Sequence, residues 1–151
     1  MDALARLVDE LLSHDLTTDE RIVAVFADFA RETREPPGYL QALTVELEKD
    51  MATTELSDAR TQLLDDELLR ILQAGVTRRE VRTDHPPQLL ARMVGAMYLS
   101  TVRRWRSDPN DDVTEMFVRA ARFAAESIAS GRRPDGASRQ RDDSSVALAQ
   151  R

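Results

Sequence analysis

The sequence predicts an all-α protein, a six-helix regulatory domain followed by a polar tail. Apolar residues recur at spacings of three and four, and no stretch sustains the period of two that a half-buried strand requires. Only 5 glycines and 6 prolines occur in 151 residues, and aromatic residues make up 5% of the chain, which favours helices over a sheet. We expect the domain to cover residues 1–131 and a disordered tail to cover residues 132–151.

The first two helices are indicated by apolar stripes and by one cap. The first is expected from about Asp2 to Leu12, and the second from a capping box at Thr17 to about Arg34. In such a box, the hydroxyl of Thr17 and the carboxylate of Glu20 satisfy free N–H groups at the helix start. The stripes are Leu4, Leu7, Val8, Leu11 and Leu12, and then Ile22, Val25, Phe26, Phe29 and Ala30.

Proline, serine and glycine mark the ends of the next two helices. A Pro-Pro-Gly sequence occurs at residues 36–38. We expect the third helix to start there, because proline presets the backbone geometry of a first helical turn. Ser57 is expected to cap the fourth helix, and Gly75 to end it in a left-handed conformation. Their apolar stripes are Leu40, Leu43, Leu47 and Met51, and then Leu63, Leu64, Leu68, Ile71 and Leu72.

The last two helices, whose apolar stretches are residues 89–102 and 113–129, carry more apolar surface than one core can cover. At about 100° per residue, Glu115, Arg119, Arg122 and Glu126 fall in one wedge roughly 80° wide. Nearly all other residues of the final helix are apolar, whereas an ordinary surface helix has an apolar stripe only a little over about 100° wide. We therefore expect two copies to pair these helices in an intersubunit four-helix bundle.

The predicted dimer interface lies on these two helices, where small residues would let backbones approach closely. The interface set is Leu90, Ala91, Val94, Gly95, Tyr98, Val102, Phe117, Ala121, Ala124 and Ile128. The stretch at 89–102 is too short to cross a bilayer, and Arg103, Arg104 and Arg106 make its end too charged. We expect no membrane association.

Composition excludes several classes of protein. Acidic residues outnumber basic ones by 27 to 21, and affinity for nucleic acid depends on clustered positive charge, so this chain alone should not bind DNA. The chain has no cysteine, which removes disulfides and thiolate metal sites. Acidic residues near the N-terminus do not resemble a signal peptide, so we expect a cytoplasmic protein.

Catalysis is not expected, nor is a cofactor or a metal ion. His14 and His85 are the only imidazoles, and the pair formed by Glu10 and His14 supplies two ligands where a metal site needs more. No phosphate-binding loop or nucleophile elbow occurs. The arginines of the connector at residues 76–84 could bind an anion, but a solvated surface with local ion pairs, for example from Arg78 to Glu80, is the better interpretation.

The order of features resembles the C-terminal regulatory domain of TetR-family transcriptional regulators. The resemblance rests on residues 68–75, the connector with Glu80 to Asp84, the proline-started helix from Pro86 to Trp105, and the final helix before Gly131. It implies that the last two helices form the dimer bundle and that earlier helices enclose an apolar effector pocket. Family members begin with a basic helix-turn-helix domain, which this chain does not supply. We expect either a domain of a longer regulator or a stand-alone regulatory module.

The predicted effector pocket consists of apolar and soft side chains that could wrap a small apolar molecule. These are Phe26, Phe29, Leu43, Leu47, Met51, Leu68, Met93, Met97, Tyr98 and Trp105, with Tyr98, Thr101 or Gln73 as hydrogen-bond partners. An effector there would bias the orientation of the first helix. The alternative is that the same residues fill the core of a helical protein-interaction or dominant-negative adaptor module that has no pocket.

Overall fold

The computed structural model describes residues 2–32, 54–108 and 112–131, and this part of the chain is helical with no strand. The five helices are α1 (Asp2–Ser13), α2 (Thr18–Glu32), α3 (Thr54–Thr77), α4 (Pro87–Ser107) and α5 (Val113–Ile128). The all-α prediction is thereby confirmed for these residues. The predicted third helix with Leu40, Leu43, Leu47 and Met51, and the predicted tail at 132–151, lie outside the described residues.

Local capping explains where three of the helices begin. The predicted box is present, since the Thr17 backbone N–H donates to Glu20 Oε2 at 2.8 Å and the Glu20 N–H donates to Thr17 Oγ1 at 3.2 Å. Pro86 is the N-cap of α4, as its sequence predicts. Asp112 caps α5 by accepting a hydrogen bond from the Glu115 backbone N–H at 3.1 Å.

Helix α3 is longer than the sequence predicts at both ends. It begins at Thr54, so Ser57 lies inside it, and it passes through Gly75 to end at Thr77. The left-handed residue is Arg79, with φ of 60°, and Gly75 does not have a left-handed conformation. Glycine is required at position 75 because of close packing: a Cβ there would lie 2.3 Å from Thr18 Oγ1. The glycine lets α3 pack directly against the start of α2.

Helices α2 to α5 pack in a ring around one core. α2 contacts α3, α3 contacts α4, α4 contacts α5, and α5 returns to α2, while α1 covers α2 and α3. The largest fully buried side chains come from every helix of the ring, and include Ile22, Phe26, Leu68, Ile71, Leu72, Val94, Phe117 and Ile128. No helix in the described part of the chain combines the length and the apolar character needed to cross a bilayer.

The connector after α3 is tied to the end of α5 by backbone hydrogen bonds. Val81 and Ala129 form a single antiparallel bridge. Next to it, the Arg82 N–H donates to the Ile128 carbonyl oxygen at 2.9 Å, and the Ser130 N–H donates to the Glu80 carbonyl oxygen at 2.9 Å. These hydrogen bonds fix the connector to the end of α5.

Candidate functional site

Five aromatic rings from three helices form one cluster inside the ring of helices. They are Phe26 and Phe29 of α2, Tyr98 and Trp105 of α4, and Phe117 of α5. The rings of Phe29 and Phe117 stack with centroids 4.8 Å apart, and the ring of Tyr98 meets that of Phe26 edge-on at 5.1 Å. Stacked and edge-on arrangements are favourable because the positive edge of one aromatic ring attracts the negative face of another. This aromatic cluster holds α2, α4 and α5 together.

The structure brings together only part of the predicted effector pocket. Phe26, Phe29, Tyr98 and Trp105 meet in the aromatic cluster, Leu68 is buried, Met97 is half-buried, and Met93 is 56% exposed. Leu43, Leu47 and Met51 lie outside the described residues. Of the polar candidates, Thr101 donates its hydroxyl to the Met97 carbonyl oxygen at 2.7 Å, and Gln73 is exposed.

Two cavities lie away from the aromatic cluster. One of about 540 Å³ is lined by Leu7, Glu10, Leu11, Ala24, Ala27, Asp28, Ala30, Arg31 and Thr114. A second of about 430 Å³ lies at the connector and is lined by Val76, Arg82, Thr83, Asp84, His85, Pro86 and Pro87. Neither is lined by a residue of the predicted effector pocket.

Most residues of the predicted dimer interface face the interior of the single chain. Leu90, Ala91, Val94, Gly95, Phe117, Ala121, Ala124 and Ile128 are buried, and Tyr98 and Val102 are half-buried. The side chains of α3 and α2 already cover these faces of α4 and α5. A contact with a second copy would have to use other residues of the same two helices.

The exposed residues of α4 and α5 supply such a surface. In the described residues, the large hydrophobic side chains that are exposed are Leu89 at 45%, Met93 at 56% and Phe123 at 67%. Together with Ala96, Met116 and Ala120 they form what we call the α4–α5 face, at spacings of four and three along each helix. This spacing places each set in one stripe.

The two stripes of the α4–α5 face reach similar levels along their helices. α4 and α5 pack against each other and are joined by residues 108–112, a connection so short that the helices run antiparallel. At about 1.5 Å per residue, Met93 lies about 21 Å before the end of α4 and Phe123 about 15 Å after the start of α5. The two side chains are therefore within about one helical turn of the same level.

Charged groups lie beside the α4–α5 face on α5 and on the α3 side of α4. On α5, Arg119 Nη2 lies 2.6 Å from Glu115 Oε1, and both side chains are largely exposed. On the side of α4 that meets α3, Asp65 packs so closely that a Cβ on Gly95 would lie 2.5 Å from Asp65 Oδ1. Burial raises the pKa of Asp65, while the Arg92 guanidinium opposes this rise. An apolar centre with a charged rim is the usual arrangement of a protein interface.

The sequence contained a signal for the α4–α5 face that the prediction did not use. Leu89, Met93 and Ala96 form one stripe of α4, and Met116, Ala120 and Phe123 form one stripe of α5, each adjacent to a second apolar stripe. Which of the two stripes faces inward depends on α2 and α3. That information comes from packing and not from periodicity.

Both histidines are exposed. His14 is exposed at the end of α1, with Nδ1 2.8 Å from the Glu10 carbonyl oxygen. Within residues 2–32, 54–108 and 112–131, no group of three metal-binding side chains is placed to hold an ion. Comparisons with known protein families, with curated proteins and with solved structures find no match to the chain.

Proposed function

We propose that the chain is the effector-sensing and dimerisation domain of a TetR-like transcriptional regulator, and that two copies associate through the α4–α5 face. The observation that carries the proposal is the location of Leu89, Met93 and Phe123 on the last two helices. These are the helices that the sequence resemblance assigns to dimerisation. Large exposed apolar side chains grouped on two helices that pack together support an interaction site.

A second copy is the partner that best suits the α4–α5 face. A two-fold axis would bring the same antiparallel helix pair from each copy together, and four helices would then share one apolar centre. The small side chains of Ala96 and Ala120 let the helices approach, and Phe123 would become a buried anchor. The rim contains charges of both signs, including Arg92, Arg119 and Glu115. Basic residues of one copy could therefore pair with acidic residues of the other.

The effector site of this proposal is the edge of the aromatic cluster. Phe29 and Trp105 are half-buried there, while Phe26 and Phe117 close the cluster on the inside. A small apolar molecule would contact the half-buried rings of Phe29 and Trp105. It regulates the protein only to the extent that it binds one arrangement of the helices more tightly than the other.

A thermal-melting screen with small apolar compounds tests the effector site. A compound that binds the folded state raises the melting temperature by mass action. We expect at least one such shift in the wild type and its loss in Phe29→Trp, where a larger ring occupies the edge of the cluster. A panel without any shift would contradict the effector role.

The alternative function is a helical interaction or adaptor module with a filled core. The close ring contacts of Phe29 with Phe117 and Trp105 favour it, since they leave the centre of the bundle occupied. Both accounts include the dimer, so sedimentation velocity tests what they share: we expect a particle of twice the 17.0 kDa chain mass. A dimer without any compound-induced shift would favour the adaptor, and a monomer would contradict the proposal.

A further inference from the structure

Glu80 joins three chain segments at one end of the bundle. Its Oε2 accepts hydrogen bonds from the Thr18 backbone N–H at 2.8 Å and from Thr18 Oγ1 at 2.7 Å, which fixes it to the start of α2. Its own N–H donates to the Gly75 carbonyl oxygen in α3 at 2.9 Å. Its carbonyl oxygen accepts from the Ser130 N–H beyond α5 at 2.9 Å. One residue thus connects α2, α3 and the end of α5.

Two arginines extend these connections to the end of α1. Arg78 Nε lies 3.0 Å from Glu80 Oε1, and Arg78 Nη1 donates to the Leu16 carbonyl oxygen at 2.9 Å. Arg21 donates from Nε to the Leu11 carbonyl oxygen at 3.2 Å and from Nη2 to the His14 carbonyl oxygen at 3.1 Å. Carbonyl groups at and after the end of α1 are therefore held by cations that also face Glu80.

The charge balance at this junction depends on Glu80. Arg21 is only 3% exposed, and its Nη1 is the only buried side-chain nitrogen or oxygen without a hydrogen-bond partner among the described residues. Burial raises the pKa of Glu80, but hydrogen bonds from Thr18 and the charges of Arg78 and Arg21 outweigh this and hold the pKa below its ordinary value. The carboxylate is thus the negative charge that offsets a buried guanidinium.

We propose that Glu80, Thr18, Arg21 and Arg78 form a conformational clasp that sets the position of α1 against the bundle, and that α1 moves when the clasp opens while α2 to α5 stay packed. α1 is suited to separate movement because, among its described residues, the buried apolar side chains are Val8 and Leu11, while Leu4, Leu7 and Leu12 pack against the core but are only partly buried. The chain between α1 and α2 is also short and held mainly by the clasp residues. A further ion pair joins α3 to α1, with Arg70 Nη2 2.5 Å from Asp9 Oδ1. Both side chains are exposed, so this pair contributes little to holding α1 in place.

The clasp also gives the end of α5 a route to α1. Ser130 and Arg82 connect the end of α5 to the connector, and Glu80 connects the connector to the junction of α1 and α2. A change in α5 at the dimer face would then alter the position of α1. This regulatory use rests on the proposed function, whereas the clasp itself requires neither a dimer nor an effector. Two discrete arrangements of α1 are the physical requirement for such coupling.

Hydrogen exchange on the full chain tests the clasp with Glu80→Gln and, as a control, Glu126→Gln on the exposed surface of α5. In Glu80→Gln, an NH2 group that donates and cannot accept replaces one carboxylate oxygen, so the side chain can no longer accept from Thr18 with one atom and from Arg78 with the other. We expect the amides of residues 3–18 to exchange about tenfold faster, because a hydrogen bond to a charged group is lost. We expect the amides of residues 121–125 to change by less than about twofold, and the control to match the wild type throughout.

A second variant keeps the test decisive if Glu80→Gln does not fold. Thr18→Val removes the hydroxyl donor with little change of shape, and should accelerate exchange of residues 3–18 in the same pattern. Where both single variants fold, the double variant should exchange no faster than the more affected single variant, because both substitutions disrupt the same interaction between Thr18 and Glu80. Uniformly faster exchange in all helices, or unchanged exchange in α1, would overturn the clasp. Sedimentation of each variant separates this result from dimerisation.

Discussion

Met93 on α4 and Phe123 on α5 are the two most exposed large hydrophobic side chains in the described residues, and they lie on antiparallel helices that pack against each other. Their exposed fractions are 56% and 67%. A folded chain gains nothing from presenting two such side chains to water on adjacent helices. The proposed contact between copies is centred on this pair.

Phe123→Glu should convert the proposed dimer into a folded monomer. Phe123 is mostly exposed in the single chain, so the substitution costs the monomer little, while a charge at the centre of an apolar interface opposes association. Sedimentation velocity measures the mass, and circular dichroism checks the fold. Arg122→Glu is the matched control, since it adds the same side chain one position earlier, about 100° around α5. A dimer in Phe123→Glu would place the interface elsewhere.

Gly75→Ala should destabilise the fold although alanine favours helices. The new Cβ would lie 2.3 Å from Thr18 Oγ1 and 2.6 Å from Val81 Cγ2, and both neighbours are buried. We expect a loss of about 1–3 kcal/mol in the free energy of unfolding, which is the usual cost of overpacking. Urea titration measures it. Gly131→Ala is the control, because nothing lies within 4 Å of its new Cβ, and it should change stability by less than about 0.5 kcal/mol.

Phe117→Ala should be among the most damaging substitutions in the chain. Its ring is fully buried and meets those of Phe26, Phe29 and Tyr98. Removing it should lower the free energy of unfolding by about 3–5 kcal/mol. Phe29→Ala should cost less, because Phe29 is only half-buried. Urea titration compares the two, and an equal loss would show that the edge of the cluster is as tightly packed as its centre.

Asp65→Asn should stabilise the protein slightly at neutral pH. Burial raises the pKa of Asp65 in the folded state, so folding favours its protonated form and stability falls as the pH rises from below the unfolded pKa to above the folded one. Asparagine mimics the neutral form at every pH, and the gain should be under about 1 kcal/mol because the side chain is partly exposed. Thermal melting at pH 3 and pH 7 should show the gain only at the higher pH.

Arg82→Gln should return the pKa of Asp84 toward its ordinary value. Hydrogen bonds from Arg82 Nε at 2.6 Å and Nη2 at 2.5 Å lower the pKa of Asp84 from 3.8 to about 2. A lowered carboxyl pKa contributes stability that is present above the unfolded value of 3.8 and is lost as the pH falls through about 2. An NMR titration of the Asp84 carboxyl carbon follows the change, and an unshifted wild-type titration would contradict the ion pair.

Local signals made the helices predictable. The Thr17 and Glu20 box and the proline start of α4 are encoded within a few residues, and the structure has them where the sequence places them. The ion pair of Arg78 with Glu80 is also between near neighbours. Such features require no knowledge of the rest of the fold.

Long-range packing made the sites unpredictable. α4 and α5 each have two apolar stripes, and the stripe expected to face a second copy is the one that α2 and α3 bury. A glutamate at Gly95 or Ala121 would therefore unfold the chain and would not test the interface. The contact between Thr18 and Glu80 spans 62 positions, so no pattern along the sequence reveals it.

The edge of the aromatic cluster carries the only indole of the chain. Trp105 is half-buried, and its ring centroid lies 5.7 Å from that of Phe29. Indole emission moves to longer wavelengths when water reaches the ring, so the unlabelled protein reports optically on the same spot where a small apolar molecule would bind. Fluorescence titration can thus locate such a molecule, and its rate of arrival can be followed in a stopped-flow instrument without attaching a dye.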